Sequence, residues 1–226
     1  MADTRDLKSL DPQDRAGSSP ASGMFIFLNL SMTTIKLTPE LIISAYCNGY
    51  FPMGLDNTSE IGWFRPDPRA IIDLDDFHIS NSLKRFQKKL FYEVKINYDF
   101  RTVMKYCMNR KEGTWITTEM LDLYYEIHKL GFAHSLEIYV DGQLGGGLYG
   151  ISIHGAFFGE SMFYLKSNCS KIALMELVSR MKKKGMILLD TQFTNKHMDQ
   201  FNIKHIKDKD YILLLEKALG LPVSFI

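Results

Sequence analysis

The sequence is short of several things, and each shortage excludes a class of protein. Cysteine occurs three times, as Cys47, Cys107 and Cys169, with no CxxC pair and no zinc-ligand spacing. An odd, scattered set argues against a disulfide framework and fits reduced thiols in a reducing compartment, so the chain is expected in the cytoplasm. Long apolar runs are missing too. The most hydrophobic N-terminal stretch, Met24 to Leu30, is far too short to cross a bilayer, and nothing around it resembles the basic segment and cleavage site of a signal peptide. There is no surplus of charge: 27 Lys and Arg against 26 Asp and Glu leave +1, which is silent about nucleic acid because a local basic patch can hide in a neutral total. Internal repeats are absent.

What remains is an ordinary globular composition. With 46% hydrophobic and 23% charged residues over 226 positions, the chain can bury one substantial core, or one core plus a small appended lobe. Residues 1–23 lack periodic apolar positions and read as a tail; a leader, a start at Met24 or Met32, or an expression remnant would look alike. The division expected is a disordered tail over 1–30, a small N-terminal lobe over 31–69 and a catalytic domain over 70–226.

Order is predicted to begin at Thr38-Pro39-Glu40, where Thr38 is a good N-cap and Pro39 suits the first helical position. Leu41, Ile42, Ala45 and Tyr46 form one apolar face of that helix, which stops at Asn48-Gly49. A proline-rich passage, Trp63 to Arg69, precedes a short strand over Ala70–Leu74. Then come a basic helix from about Ser80 to Lys89, a strand near Tyr92–Ile96, a helix Phe100–Met108, and a helix capped by Thr117 or Thr118 and running to Lys129. His134–Val140, Leu144–Ile153 and Ala156–Tyr164 alternate as strands, joined by turns at Asp141-Gly142 and His154-Gly155, and so form an antiparallel meander. A helix from about Ser170 to Lys184, a buried strand Met186–Thr191 and a helix near Asp208–Leu219 follow. The fold class expected is α+β, a mostly antiparallel sheet with flanking helices.

That order resembles the acyltransferase fold (GNAT-type) that carries acetyl groups on coenzyme A. Such a fold holds the CoA pyrophosphate on backbone N–H groups in a Gly-rich loop after the meander. The equivalent loop here, Leu165 to Lys171, contains no glycine, so a CoA donor is not expected. The cluster Gly145-Gly146-Gly147 lies instead within a predicted strand, where a bulge or close backbone packing explains it.

More specific motifs run through the chain in order. They are Gly49-Tyr50-Phe51-Pro52-Met53, Trp63-Phe64-Arg65-Pro66-Asp67-Pro68-Arg69, Thr114-Trp115-Ile116, Ala133-His134-Ser135-Leu136-Glu137, Gly146-Gly147-Leu148-Tyr149-Gly150, Gly159-Glu160-Ser161-Met162-Phe163, Asn168-Cys169-Ser170-Lys171 and Leu189-Asp190-Thr191-Gln192. Over roughly residues 38 to 215 the chain resembles the leucyl/phenylalanyl-tRNA–protein transferase family. The resemblance implies a small N-terminal lobe with an acyltransferase-like domain that moves Leu or Phe, and Met less well, from aminoacyl-tRNA to the α-amino group of a protein beginning with Arg or Lys, marking it for degradation. It implies no metal, no organic cofactor and no membrane.

The site residues implied are Asp190, Gln192 and Glu160. Asp190 and Gln192 lie two apart on a strand and share a face. Carried over from the family, Asp190 orients and polarises Gln192, whose carbonyl receives the attacking amine; a strand-end Asp that caps the next turn is the plain alternative. Glu160 stands in an apolar strand beside Phe157, Phe158 and Phe163, where a carboxylate needs a designated partner. Alternation puts it on the side of Phe158 and Met162 rather than in solvent. Leu148, Leu174 and Leu177, with Phe158, match positions of the aminoacyl pocket, although their periodicity alone reads as core. Trp115 could offer its face to the terminal adenine of the tRNA, and Trp63 and Phe64 either join it or wedge the two lobes together. Lys84, Arg85, Lys88 and Lys89, and separately Lys182, Lys183 and Lys184, are basic faces open to phosphates or simply to solvent.

His78, His128, His197 and His205 have no Cys or His at ligand spacing, and His134 opens a strand as a structural histidine would, so no metal is expected. Ser161 has no G-x-S-x-G elbow or paired His and is no nucleophile. Departures from the family pattern include Phe64 where Trp is usual, Arg65 for Ser, Asn202 for Gly, and Lys207 and Asp208 for a Pro/Arg pair. Met24–Lys36 does not match the family's Gly-rich opening, and its usual C-terminal tail is not present. Two rival functions share the features read here: an aminoacyl-tRNA-dependent transferase with another amine acceptor, and a non-catalytic module that binds tRNA or protein N-termini.

Overall fold

A computed structural model describes residues 37–54, 61–109, 114, 116–193 and 198–226. The tail, the stretch Met24–Lys36, Trp115 and His197 lie outside the described residues. Helix α1 (Pro39–Cys47) opens as the sequence predicts, with Thr38 Oγ1 accepting the Leu41 N–H at 3.3 Å. After it, β1 (Phe51–Gly54) and β2 (Ile61–Phe64) pair as an antiparallel hairpin, Pro52 opposite Trp63. That hairpin was not expected, because Pro and Gly in a four-residue run mask strand character.

The remaining elements are β3 (Arg69–Ile72), α2 (Asn81–Lys89), β4 (Glu93–Ile96), α3 (Phe100–Met108), α4 (Thr118–Lys129), β5 (Ala133–Val140), β6 (Gln143–Ile153), β7 (Ala156–Tyr164), α5 (Cys169–Lys183), β8 (Leu188–Gln192), β9 (Ile203–Ile206) and α6 (Asp208–Leu219). Seven strands form one sheet in the order β4-β5-β6-β7-β8-β3-β9, antiparallel throughout except for the parallel pair β7–β8. The fold is therefore α+β with a mostly antiparallel sheet, as the sequence predicts, and β9 is an added edge strand.

Helices cover both faces of the sheet. In α3, Phe100, Val103, Met104 and Cys107 are buried at helical spacing, and in α4, Met120, Leu121, Tyr124 and Ile127 are. Both stripes share a core with α1, the β1–β2 hairpin and α6, built around Tyr46, Phe64, Tyr149, Phe158 and Tyr211. The opposite face belongs to α5 and α2, which bring Leu174, Leu177 and Leu83 onto Leu136, Leu148 and Phe157 of the sheet. The glycine cluster is where α5 lands: a Cβ at Gly146 would lie 2.8 Å from Cys169 Cβ and 2.9 Å from the Phe163 carbonyl. Close packing, not a ligand, explains those glycines. Among the described residues no helix is long and apolar enough to cross a membrane.

Candidate active site

The parallel pair sets the site. Strands β7 and β8 hold together over only three positions, Ala156–Leu188, Phe157–Leu189 and Phe158–Asp190. Beyond Phe158 they part, leaving Gly159 and Glu160 on one wall of the opening and Thr191 and Gln192 on the other.

Glu160 owes its direction to a β-bulge. Across β6, Tyr149 faces Ser161 while Gly150 faces Gly159, so Glu160 is the extra residue. It turns to the face of Phe158, where Tyr46 Oη donates to Oε1 at 2.6 Å and Tyr124 Oη to Oε2 at 3.3 Å. The two tyrosine hydroxyls are 2.7 Å apart. Met162, expected on the same side, lies opposite Leu148 and packs instead against the core on the α5 face, because the inserted residue reverses the alternation after Glu160.

Asp190, on the far wall, has no solvent exposure and is fully coordinated. Arg69, equally buried, donates from Nε to Oδ1 at 3.0 Å and from Nη2 to Oδ2 at 2.7 Å. Tyr211 Oη donates to Oδ2 at 2.7 Å, and the Gln192 backbone N–H donates to Oδ1 at 2.8 Å. Arg69 is held in turn by the Gly49 carbonyl at 3.0 Å and lies between the rings of Phe51 and Tyr211, 4.9 and 4.6 Å from their centroids. Burial by itself would lower the Arg69 guanidinium; the Asp190 carboxylate beside it outweighs this and the net direction is up.

Gln192 links the walls. Its backbone adopts a left-handed conformation at φ 56°, which ends β8 and aims the side chain across the opening. Its Nε2 donates to Glu160 Oε1 at 3.2 Å. Asp190 thus contacts Gln192 through the main chain, as a turn-capping Asp does, while Glu160 holds the side-chain amide. Burial pushes Glu160 up to about 8, and the nearby Asp190 charge adds to it, against the lowering effect of the two tyrosines and Arg69.

The three chemistry-bearing residues of the motifs therefore meet. The apolar candidates divide: Leu148, Leu174 and Leu177 are buried together on the α5 face, whereas Phe158 lies on the opposite face against Tyr46, ring centroids 4.9 Å apart. Phe64 is buried in the core with its ring stacked at 6.0 Å on Phe51, its partner across the β1–β2 hairpin. Trp63 is half-buried beside it. The glycine-free loop turns backbone amides inward, with Leu165 and Lys166 N–H both donating to the Gly145 carbonyl at 2.8 Å.

Arg69, Tyr46, Tyr124 and Tyr211 were not anticipated. A signal for each existed. Arg69 heads a strand whose four residues are all buried, and a buried Asp requires such a cation. The tyrosines read as plain core, yet each carries a hydroxyl that must find an acceptor once buried.

Known proteins match over the same residues. A family model described as "Leucyl/phenylalanyl-tRNA protein transferase" matches residues 71–216, and its N-terminal domain model matches residues 36–67. The leucyl/phenylalanyl-tRNA–protein transferase of Gloeobacter violaceus is 42% identical over 191 residues, covering 84% of this chain and 98% of its own. That of Salinibacter ruber is 44% identical over 183 residues, covering 81% of this chain and 80% of its own. Among solved structures, a ribosomal-protein-alanine N-acetyltransferase from Brucella melitensis superposes with a TM-score of 0.36 at 16% identity, covering 49% of this chain and 84% of that one.

Proposed function

Because the chain belongs to the leucyl/phenylalanyl-tRNA protein transferase family, we propose that it transfers Leu or Phe, and Met less well, from aminoacyl-tRNA to the α-amino group of proteins beginning with Arg or Lys, in the cytoplasm, marking them for degradation. The observation that carries this reading is the convergence of Glu160, Gln192 and Asp190 where β7 and β8 part.

The donor is an activated ester, so no covalent intermediate on the protein is needed. The enzyme orients the two substrates, supplies a neutral amine and stabilises charge on the carbonyl oxygen. Glu160 Oε1 accepts from the Gln192 Nε2 amide, which leaves the Gln192 carbonyl oxygen as an acceptor for the incoming amine. Asp190 acts one step back, fixing the left-handed turn that presents Gln192. The Glu160 carboxylate at the opening suits a cationic acceptor. In this reading Leu148, Leu174 and Leu177 on the α5 face bound the space for an apolar side chain unbranched at its Cβ, with Phe158 on the other face, and Trp115 and Trp63, rather than the buried Phe64, offer aromatic faces to the tRNA 3′ end.

The test is transfer of labelled Leu, Phe or Met from charged tRNA to peptides that begin with Arg or Lys, with an Ala-initiated peptide as control. Label is expected on the basic-initiated peptides, in the order Leu and Phe above Met. No transfer of any of the three would end the proposal.

A further inference from the structure

We propose that Arg65 is a positioning residue for the transfer reaction: its ion pair with Asp208 fixes the first turn of α6 and, through Tyr211, the carboxylate that holds Gln192 in place. This rests on the transferase reading above and goes beyond it. Among the described residues Arg65 bonds to Asp208 and to the Asn48 carbonyl, and to none of Glu160, Asp190 or Gln192.

Arg65 and Asp208 are two of the positions at which the chain departs from the family pattern, and they lie 143 residues apart. In the fold they meet as a two-point pair. Arg65 Nε donates to Asp208 Oδ1 at 2.7 Å, and Nη2 donates to Oδ2 at 2.5 Å. The pattern has Ser and Arg at these places, so the two exchanges are complementary: either one alone would leave a charge without its partner. A forked pair of this kind fixes direction as well as distance. The side chains are 23% and 32% exposed, which sets the pair apart from open surface pairs such as Arg101–Asp122 at 46% and 62%. Arg65 holds the Asp208 carboxyl below its ordinary range.

The start of α6 needs such a hold. Its N-cap, Lys207, makes no side-chain cap bond, and its buried residues, Tyr211, Leu215 and Ala218, begin only at the fourth position. The segment after β2 supplies what is missing from across the fold. Asp67 Oδ1 accepts the Asp208 backbone N–H at 3.2 Å while Arg65 grips the side chain of the same residue. A latch for the lobe alone would be redundant here, because Tyr46, Phe51 and Phe64 already anchor it in the shared core.

What the clasp controls is the inward face of α6. Asp208 and Tyr211 are three apart on the helix and so lie on neighbouring positions of one face. The Tyr211 hydroxyl donates to Asp190 Oδ2 at 2.7 Å, and its ring lies 4.6 Å from the Arg69 guanidinium. Gly49 closes the other side. A Cβ there would lie 3.1 Å from Tyr211 Cε1, 3.2 Å from Ile212 Cδ1 and 3.9 Å from Arg65 Cδ, so the clasp and the tyrosine pack on the same point. Asp190 Oδ1 in turn accepts the Gln192 N–H that ends β8 in its left-handed turn. One unbroken set of contacts therefore runs from Arg65 through Asp208, Tyr211 and Asp190 to Gln192.

The experiment is a pair of double-mutant cycles on kcat, with Phe-tRNA and an Arg-initiated peptide both saturating. Arg65→Ser and Asp208→Asn are each expected to lower kcat by about 5- to 20-fold and to change KM for either substrate by less than about twofold. Together they should cost no more than the worse of the two, since both remove the same contact. In the second cycle Tyr211→Phe takes the hydroxyl from Asp190; on that background Arg65→Ser should lower kcat by less than about twofold, because the path is already cut. Arg65→Lys keeps the charge but not the fork, so it should melt with the wild type and still lose about threefold in kcat. Should Tyr211→Phe be too slow to assay, the first cycle and Arg65→Lys decide alone. Wild-type kcat in Arg65→Ser, or its full loss repeated on the Tyr211→Phe background, would overturn the positioning role and leave the transferase reading intact. Failure of the wild-type enzyme with every acceptor would instead remove the transferase reading, and the positioning role with it.

Discussion

A carboxylate with no solvent access must be neutralised where it sits, and for Asp190 the neutralising group is a guanidinium that is itself fully buried. Such a pair contributes little net stability compared with an apolar substitute, but losing one partner strands the other. Arg69→Met keeps much of the stem that packs between Phe51 and Tyr211 and removes the charge. It should lower unfolding free energy by about 3–5 kcal/mol in urea titrations, and adding Asp190→Asn should recover part of the loss. A double variant no more stable than Arg69→Met alone would show that Arg69 matters for packing and not for charge. The same pair marks a limit of reading residues singly. Asp190, Gln192 and Glu160 could be picked out from the motifs shared with the family, and Glu160 also because a carboxylate in an apolar strand stands out. Arg69, Tyr46 and Tyr211 carried a weaker signal, a polar group that must find a partner once buried, and which partner each finds is set by contacts distant in sequence.

Elements bring these residues together, and β7 does so through an irregularity. Alternation along Ala156–Tyr164 correctly turns Glu160 toward Phe158, but it then misplaces Met162, since no residue type announces a bulge. Local pattern was enough for elements whose burial is one-sided or whose ends are marked. Phe100–Met108, Ala156–Tyr164 and Asp208–Leu219 begin and end where periodicity and turn residues put them. It was not enough for Phe51–Gly54 or Ile203–Ile206, four-residue strands defined by pairing with distant partners. Gly150 shows what the bulge requires of the strand beside it. A Cβ there would lie 2.2 Å from the Phe158 carbonyl and 2.5 Å from the Phe157 ring, both on the strand that carries Glu160. Gly150→Ala must therefore push β7 away at the bulge. The expected result is a loss of about 1–3 kcal/mol in thermal unfolding together with a fall in transfer rate, since the shifted strand carries Glu160. Wild-type values for both would mean that β7 yields there without moving the carboxylate.

At the scale of the whole molecule, the site exists only because the first lobe is folded onto the sheet. The two family models meet between residues 67 and 71, which suggests a catalytic unit that starts at 71. The packing crosses that line. Ile42, Tyr46, Phe51, Met53 and Phe64 from the first lobe share one buried core with Tyr124, Tyr149 and Phe158 of the rest. Polar contacts cross it as well: Tyr46 donates to Glu160, the Gly49 carbonyl holds Arg69, and Arg65 pairs with Asp208 at the start of α6 through Nη2 and Oδ2, 2.5 Å apart. A chain beginning at residue 71 would lose Tyr46, Arg69 and the aromatic cover of Phe51 at once. It would leave Asp190 buried without a cation, and the face of α4 that α1 covers open to water. Such a chain is expected to be aggregation-prone, with no cooperative thermal transition by circular dichroism, whereas the full chain melts cooperatively. A truncated chain that melts within a few degrees of the full one would place the lobe outside the folding unit, and its role would then be confined to presenting Tyr46 to Glu160.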